Sequence, residues 1–162
     1  MEVSRPRQIV VAGAGIAGLT AAIAFARRGF AVRVFEQAPR LVEAGAGIQL
    51  SPNATRLLDR LGVIDYLRPA AVRPEKIALL DARRQRPIAE IPLGEAAEER
   101  WGAPYLVAHR ADLQSALVTR AARDPDIEIV TGTKVSDAAL HARGVTVSLL
   151  GQDSISEASP LL

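Results

Sequence analysis

Short apolar runs and helix-spaced apolar residues follow one another at the start of this chain. The run from Ile9 to Ala12 is too short for a helix but is typical of a strand buried on both faces of a parallel sheet. Beyond it, apolar residues recur at intervals of three and four positions: Ile16, Leu19, Ile23 and Ala26. That spacing predicts one buried face of a helix.

A second strand is predicted where this helix ends. Gly29 supplies the C-terminal stop, and Ala31 to Phe35 form the next extended run, which leads into Glu36. A strand, a helix and a strand in close succession are typical of a parallel sheet. Ile127 to Val130 also follow a helical segment, so we expect this later strand to run parallel to the first two.

The middle of the chain predicts a helix that starts near Ser51. Ser51 is expected to cap this helix, Pro52 fits its first turn, and Gly62 ends it. Its apolar side is formed by Leu57, Leu58 and Leu61. A short helical turn is expected over residues 64–67.

A hairpin is predicted next, because Ile77 to Leu80 and Ile88 to Ile91 flank the polar segment from Arg83 to Arg86. The arginines most simply form a solvated turn. A functional alternative is electrostatic attraction of a phosphorylated cofactor or an acidic substrate. Gly94 to Gly102 is interpreted as a polar loop, with Trp101 as a packing residue.

The last third of the chain predicts a strand at 105–108, a helix and a second hairpin. The helix has Leu113, Leu117 and Ala121 on one side, and the hairpin joins residues 135–140 and 145–149 around Arg143-Gly144. The whole pattern indicates an α/β fold with a parallel sheet plus antiparallel hairpins. Its length predicts about one domain over residues 1–162.

Composition limits the kinds of functional site and partner that the chain can have. The chain is 49% hydrophobic and 23% charged, with a formal net charge of +2 and no basic stripe. We therefore expect no nucleic-acid partner. The absence of cysteine excludes thiolate metal sites and a cysteine nucleophile, and it is compatible with a cytoplasmic location. With only two histidines, no metal site is expected.

The uncharged run from Gln8 to Ala26 superficially resembles a secretory signal, because Arg5 and Arg7 precede it. Its glycines argue against that interpretation, since each would weaken a signal helix by ~1 kcal/mol. No other run approaches the ~20 apolar residues that span a bilayer, so no membrane partner is expected.

The glycines of that run form a G-x-G-x-x-G pattern at Gly13, Gly15 and Gly18. They permit, in order, a tight turn, the close approach of a pyrophosphate and the close packing of the helix on the sheet. The helix N-terminus directs its N–H groups and positive dipole end at this loop. Glu36 follows where an acid hydrogen-bonds the ribose of an adenine dinucleotide and repels a 2′-phosphate. We therefore predict a dinucleotide site.

Two further segments carry candidate chemistry. The segment from Gly45 to Leu50 suits a surface loop and a passage beside a flat ligand equally well. Arg110 lies at a helix start, where a cation gains nothing from the dipole, so it is either solvated or held for an external anion. His109 is expected to be structural, because no partner acid or nucleophile can be named.

In these motifs the sequence resembles the N-terminal part of the single-component flavoprotein aromatic monooxygenases, the salicylate hydroxylase-like relatives of p-hydroxybenzoate hydroxylase. The resemblance covers essentially the whole chain. It rests on the glycine loop with Glu36, on Gly45 to Ala54, on Leu61-Gly62 and on His109 to Leu113. The second and fourth of these segments are more specific than the glycine loop.

The resemblance implies a Rossmann-like FAD-binding domain that uses NADH or NADPH as electron donor and hydroxylates a small aromatic substrate with O₂. By resemblance, Glu36 would hold the adenosine ribose and Val135 would offer backbone to the adenine. The loop around Gly47 would line the flavin, and Arg110 would contact FAD near its pyrophosphate and ribityl chain. The implied cofactor-binding residues are Gly13, Gly15, Ala17, Gly18, Glu36, Gln37, Gly47, Arg110 and Val135. No catalytic side chain is expected.

Other interpretations stay open at this point. Glu36 also permits NAD, so an NAD-dependent oxidoreductase is an alternative, although Gly45 to Ala54 and His109 to Leu113 have no natural role there. A non-catalytic module that binds a nucleotide or a partner through an exposed sheet is another. Family members are longer and carry two later motifs, a Gly-Ala-Asp-Gly-like stretch and a Gly-Asp stretch, which are not present. We therefore expect an N-terminal portion of a longer fold, with the substrate region mostly absent.

Overall fold

A computed structural model describes residues 7–41, 45–142, 144–150 and 155–158, the last range as backbone only. Arg143 and the terminal Leu161-Leu162 lie outside the described residues. The elements are, in chain order, β1 (Gln8–Ala12), α1 (Ile16–Ala26), β2 (Ala31–Phe35), β3 (Gly47–Leu50), α2 (Pro52–Arg60), α3 (Ile64–Leu67), a 3₁₀ turn (Arg68–Ala70), β4 (Lys76–Leu80), β5 (Pro87–Pro92), α4 (Glu95–Trp101), β6 (Leu106–His109), α5 (Arg110–Ala121), β7 (Ile127–Val130), β8 (Val135–His141), β9 (Gly144–Leu149) and β10 (Ile155–Ala158).

The chain divides into two compact units. Unit 1 comprises Met1–Glu43 and Leu117–Leu162, and unit 2 comprises Ala44–Ala116.

No helix in the described ranges is long and apolar enough to cross a membrane.

Unit 1 is built on a parallel sheet with the strand order β1-β2-β7. The register pairs Val11 with Val34 and Val34 with Ile129, which confirms the predicted parallel direction of β7. Helix α1 covers this sheet with Leu19 and Ile23, both of which are fully buried. The three-and-four spacing in the sequence therefore marks the face of α1 that the sheet buries.

A second sheet of unit 1 is antiparallel, with the order β10-β9-β8. The β8–β9 hairpin confirms the pairing predicted from its apolar runs, whereas β10 had not been predicted. Phe35 from β2 packs in one apolar cluster with Val147 and Leu149 from β9. The two sheets of unit 1 thus share a core beside the carboxyl end of β2.

Unit 2 contains two antiparallel pairs, β3 with β6 and β4 with β5. The β4–β5 hairpin confirms the prediction for residues 77–91, and its turn is held by the Asp81 carboxylate, which accepts the N–H groups of Arg83 at 2.9 Å and Arg84 at 2.7 Å. The turn residues are exposed, which is consistent with a solvated turn.

Two expectations for α2 are wrong in detail. Ser51 makes no capping hydrogen bond, because its hydroxyl donates instead to the Asn53 side-chain oxygen. Leu57 is 56% exposed, whereas the polar Thr55 is buried and donates to the Pro104 carbonyl at 2.7 Å. The buried face of α2 is therefore rotated away from Leu57, and the hydroxyl of Thr55 is paired inside it.

The interpretation of residues 94–102 as a loop is also wrong, because Glu95–Trp101 form α4. Only Ala97 of this helix is buried, so it carries almost no apolar pattern. Its signals are electrostatic: Glu95 and Glu98 lie in the first turn and Arg100 in the last, as the helix dipole favours.

Truncating Leu19 tests the core of unit 1. Leu19→Ala is expected to lower the free energy of unfolding by about 2–5 kcal/mol, because a fully buried side chain leaves a cavity under α1. Urea denaturation followed by circular dichroism measures this change. The control, Leu140→Ala, removes a side chain that is 82% exposed and should change stability by less than about 0.5 kcal/mol. Equal effects of the two substitutions would contradict the packing described.

Candidate functional site

The turn between β1 and α1 is closed by backbone contacts that only glycine allows. Gly13 has φ +98° and its N–H donates to the Phe35 carbonyl at 2.7 Å. A Cβ on Gly18 would lie 1.9 Å from the Gly13 carbonyl oxygen. The start of α1 therefore abuts the turn, as the glycine spacing predicted.

Gly15 differs from these two glycines because the space beside it is open. A Cβ on Gly15 would meet no atom within 4 Å in the part of the chain that the structure describes, and Gly15 is the extended N-cap of α1 with no side-chain cap. The first helical hydrogen bond runs from the Leu19 N–H to the Gly15 carbonyl at 3.0 Å, and the first turn holds no acidic residue. An uncapped helix N-terminus beside free space fits the diphosphate of a dinucleotide.

The Glu36 carboxylate faces this loop from the end of β2. One oxygen accepts the Ala14 N–H at 2.8 Å and the other accepts the Ala38 N–H at 2.9 Å. A carboxylate offers about four acceptor positions, so room is left for ribose hydroxyls. Sequence reasoning assigned Glu36 to a ligand but did not foresee these two backbone contacts.

A cleft of about 220 Å³ opens beside Glu36 within unit 1. Its lining residues are Ala12, Gly13, Phe35, Glu36, Gln37, Thr133, Lys134 and Val135. The structure therefore brings four residues singled out in the sequence into one cleft: Gly13, Glu36, Gln37 and Val135. Ala17 is exposed in the first turn of α1.

The backbone of Val135, which lines this cleft, faces away from β9 because of its position in the hairpin. Val135 pairs with Leu149, and the flanking Leu150 N–H donates to the Lys134 carbonyl at 2.9 Å. In this pattern Val135 belongs to a non-hydrogen-bonded pair, so its own N–H and C=O point away from β9. Since β8 is an outer strand of the sheet order β10-β9-β8, these two groups are available to a ligand.

Thr133 and Lys134 were missed in the sequence. The Thr133 N–H donates to the Glu36 carbonyl at 2.8 Å, which fixes residues 131–134 against the end of β2. Their position directly after β7 is the signal that could have identified them, since ligands of α/β sheets bind beyond the carboxyl ends of parallel strands.

The other predicted residues, Gly47 and Arg110, are neighbours within unit 2. β3 pairs with β6 so that Gly47 lies opposite His109, and the Arg110 N–H donates to the Ala46 carbonyl at 3.3 Å. A Cβ on Gly45 would lie 2.9 Å from the Arg110 Cβ. The two more specific motifs of the sequence are thus in direct contact.

The outward face of the β3–β6 pair is polar. The Tyr105 hydroxyl donates to the Gln49 side-chain oxygen at 2.7 Å, and Gly47 is exposed on the same face. No described residue crowds Gly47, because its nearest added-Cβ contact is the Ala108 carbonyl at 3.9 Å. This face fits the passage beside a flat ligand that the glycines suggested.

Metal chemistry has no support in the described ranges, where no group of three or more metal-ligating side chains occurs.

Comparison with known proteins decides which dinucleotide family this site belongs to. Residues 7–158 match the family described as FAD binding domain. The chain belongs to this FAD-binding family. It is 44% identical over 126 residues to a 3-hydroxybenzoate 6-hydroxylase of Polaromonas naphthalenivorans, covering 78% of this chain and 32% of that protein. It is 50% identical over 117 residues to a 3-amino-4-hydroxybenzoate 2-monooxygenase of Streptomyces cremeus, covering 72% and 30%.

Solved structures show the same relationship. Klebsiella pneumoniae HpxO complexed with FAD and uric acid is 27% identical, with a TM-score of 0.81 over 94% of this chain and 37% of that one. A 2-methyl-3-hydroxypyridine-5-carboxylic acid oxygenase is 29% identical, with a TM-score of 0.78 over 96% and 38%. The chain of this FAD-binding domain therefore spans about a third of the length of the relatives it matches.

The contrast between Gly18 and Gly15 tests the phosphate loop. Gly18→Ala is expected to destabilise the ligand-free chain by about 1–3 kcal/mol, because the methyl group overlaps the Gly13 carbonyl. Gly15→Ala should cost less than about 1 kcal/mol, since no atom of the described residues lies within 4 Å of its methyl group.

ADP binding provides a second test of the Gly15→Ala variant. Gly15→Ala is expected to weaken ADP binding about tenfold or more, because the methyl group occupies the space left for the diphosphate. Isothermal titration calorimetry on chains shown to be folded measures this loss. Wild-type ADP affinity in Gly15→Ala would mean that the diphosphate lies elsewhere.

Proposed function

We propose that this chain is the FAD-binding part of a flavoprotein monooxygenase that hydroxylates a small aromatic substrate with NADH or NADPH and O₂. The observation that carries the proposal is the contact of Arg110 with the Gly45–Ala46 segment. These two segments have no natural role in an NAD-dependent dehydrogenase, so their contact favours an FAD-binding domain. The family match supports the cofactor, and the names of the relatives support the reaction.

The adenosine diphosphate half of FAD is assigned to unit 1. Gly15 and the N-terminus of α1, including Ala17, would receive the diphosphate. Glu36 would accept the ribose hydroxyls, and Gln37 lies beside it in the cleft. The outward backbone of Val135 would pair with the adenine edge.

The flavin half is assigned to unit 2. The exposed strand around Gly47 leaves room for a flat ring, and Arg110 supplies a positive charge next to that strand. A guanidinium is suited to an anionic group of the cofactor, with which it can form charge-assisted hydrogen bonds.

FAD, when bound, supplies the redox chemistry, and the side chains of this chain bind and orient it. No proton-transfer or nucleophilic role is assigned to a residue of this chain. We propose that both units belong to one FAD-binding domain, since the family match extends from residue 7 to 158.

The names of the two curated relatives indicate hydroxybenzoates as their substrates. We propose a phenolic aromatic carboxylate as the substrate class of the enzyme that contains this domain. A cytoplasmic location would suit a chain without cysteine.

Arg110→Ala tests the flavin half of the site. The variant is expected to retain less FAD than the wild type after gel filtration, because it loses the cation next to the Gly45–Ala46 segment. Arg60→Ala, an exposed arginine at the end of α2, is the matched control in the same unit and should retain wild-type FAD. Unchanged flavin content in Arg110→Ala would remove this residue from the site.

The proposed function itself is tested by the absorbance spectrum of the purified 162-residue chain after addition of FAD or NAD. Oxidised-flavin bands that survive gel filtration are expected. Clear NAD binding without retained flavin would replace the proposal with the dehydrogenase alternative. If neither ligand binds, the described units do not form a sufficient FAD site and the proposal for this chain fails.

A further inference from the structure

Glu36 is held in place from three sides before any ligand is considered. Its N–H donates to the Val130 carbonyl at 2.8 Å, and its carbonyl accepts the Thr133 N–H at 2.8 Å. Its side chain reaches across to the Ala14 N–H at 2.8 Å. One residue therefore joins the end of β2, the segment after β7 and the loop that precedes α1.

The contact with Ala14 is the one that bears on binding. Ala14 lies between Gly13 and Gly15 and is fully buried, so its N–H requires an acceptor inside the protein. The Glu36 carboxylate supplies a charged acceptor there, which makes the hydrogen bond stronger than a neutral one.

We infer that Glu36 is a positioning residue that holds the glycine loop in its binding geometry before the cofactor arrives. This role rests on the proposed function and adds to the ribose contact assigned to the same carboxylate. It requires no change of Glu36 on binding, because a carboxylate has acceptor positions left for hydroxyl groups.

The two roles of Glu36 make different predictions for ligand chemistry. A ribose contact matters only for a ligand that carries the ribose hydroxyls. A positioning role affects every ligand whose diphosphate enters the loop, because a loop that is already ordered loses less freedom on binding. The 2′,3′-dideoxy form of ADP retains the diphosphate and lacks both hydroxyls, so it isolates the second role.

The experiment compares Glu36→Ala with the wild-type chain by two measurements. The first is the exchange rate of the Ala14 amide proton without ligand, and the second is the affinity for ADP and for 2′,3′-dideoxy-ADP. We expect Ala14 exchange to accelerate and the dideoxy ligand to bind about tenfold more weakly or worse in the variant. The ratio between the two ligands reports the direct ribose contact separately.

Glu128→Ala is the matched control, because it removes a carboxylate from the same parallel sheet. Glu128 pairs with Arg33 at 2.7 Å, its side chain is 58% exposed, and it does not line the cleft. This control should leave both measurements unchanged. Glu36→Gln is used as well: its side-chain amide keeps one acceptor, so it should fold even if Glu36→Ala does not and still accelerate exchange at Ala14 or Ala38.

Two results would overturn the inference: unchanged exchange at Ala14 and Ala38 in the folded Glu36 variants, or wild-type affinity for the dideoxy ligand in a folded variant whose Ala14 exchange is accelerated. If the wild-type chain binds neither ADP nor FAD, the proposed function fails. Amide exchange in the ligand-free chain then still decides whether Glu36 holds the loop.

Discussion

Helix α1 begins so close to the strand before it that a methyl group on Gly18 would overlap the Gly13 carbonyl, 1.9 Å away. This steric constraint fixes where the helix N-terminus lies relative to the carboxyl end of β1. Because the helix cannot move outward without losing the burial of Leu19 and Ile23, the packing limits the arrangements open to the loop between Gly13 and Gly18. The open space beside Gly15 is a consequence of that arrangement, and it is where an anion gains most from the helix dipole.

The Glu36 carboxylate adds an electrostatic constraint to the steric one. A hydrogen bond to a charged group contributes about 1.5–3 kcal/mol, and this one acts on an amide inside the loop. The same residue anchors Thr133, which precedes the outward-facing backbone of Val135. The side chain of Glu36 therefore acts on the glycine loop, whereas its backbone carbonyl holds the segment that leads to Val135.

Within unit 2, the β3–β6 pairing fixes the position of Arg110, as the glycine loop fixes the position of the α1 N-terminus. The antiparallel register places Gly47 opposite His109, so the next residue, Arg110, meets the Gly45–Ala46 segment. A larger residue at position 45 would clash with Arg110, because a Cβ there would lie only 2.9 Å from the Arg110 Cβ. The contact between these two motifs is the feature that favours the proposed FAD-binding function over an NAD-dependent dehydrogenase.

Local patterns in the sequence determined β1, α1, β2, the glycine loop and the hairpins, because apolar period, turn residues and helix stops act over a few positions. They failed where burial departs from hydrophobicity: Thr55 is buried and Leu57 exposed, and α4 buries only Ala97. The tertiary structure alone decided that Thr133 and Val135 join Glu36 in one cleft and that Arg110 meets Gly45. Strand pairing and register between distant segments create those contacts, and no local pattern encodes which distant segments will meet.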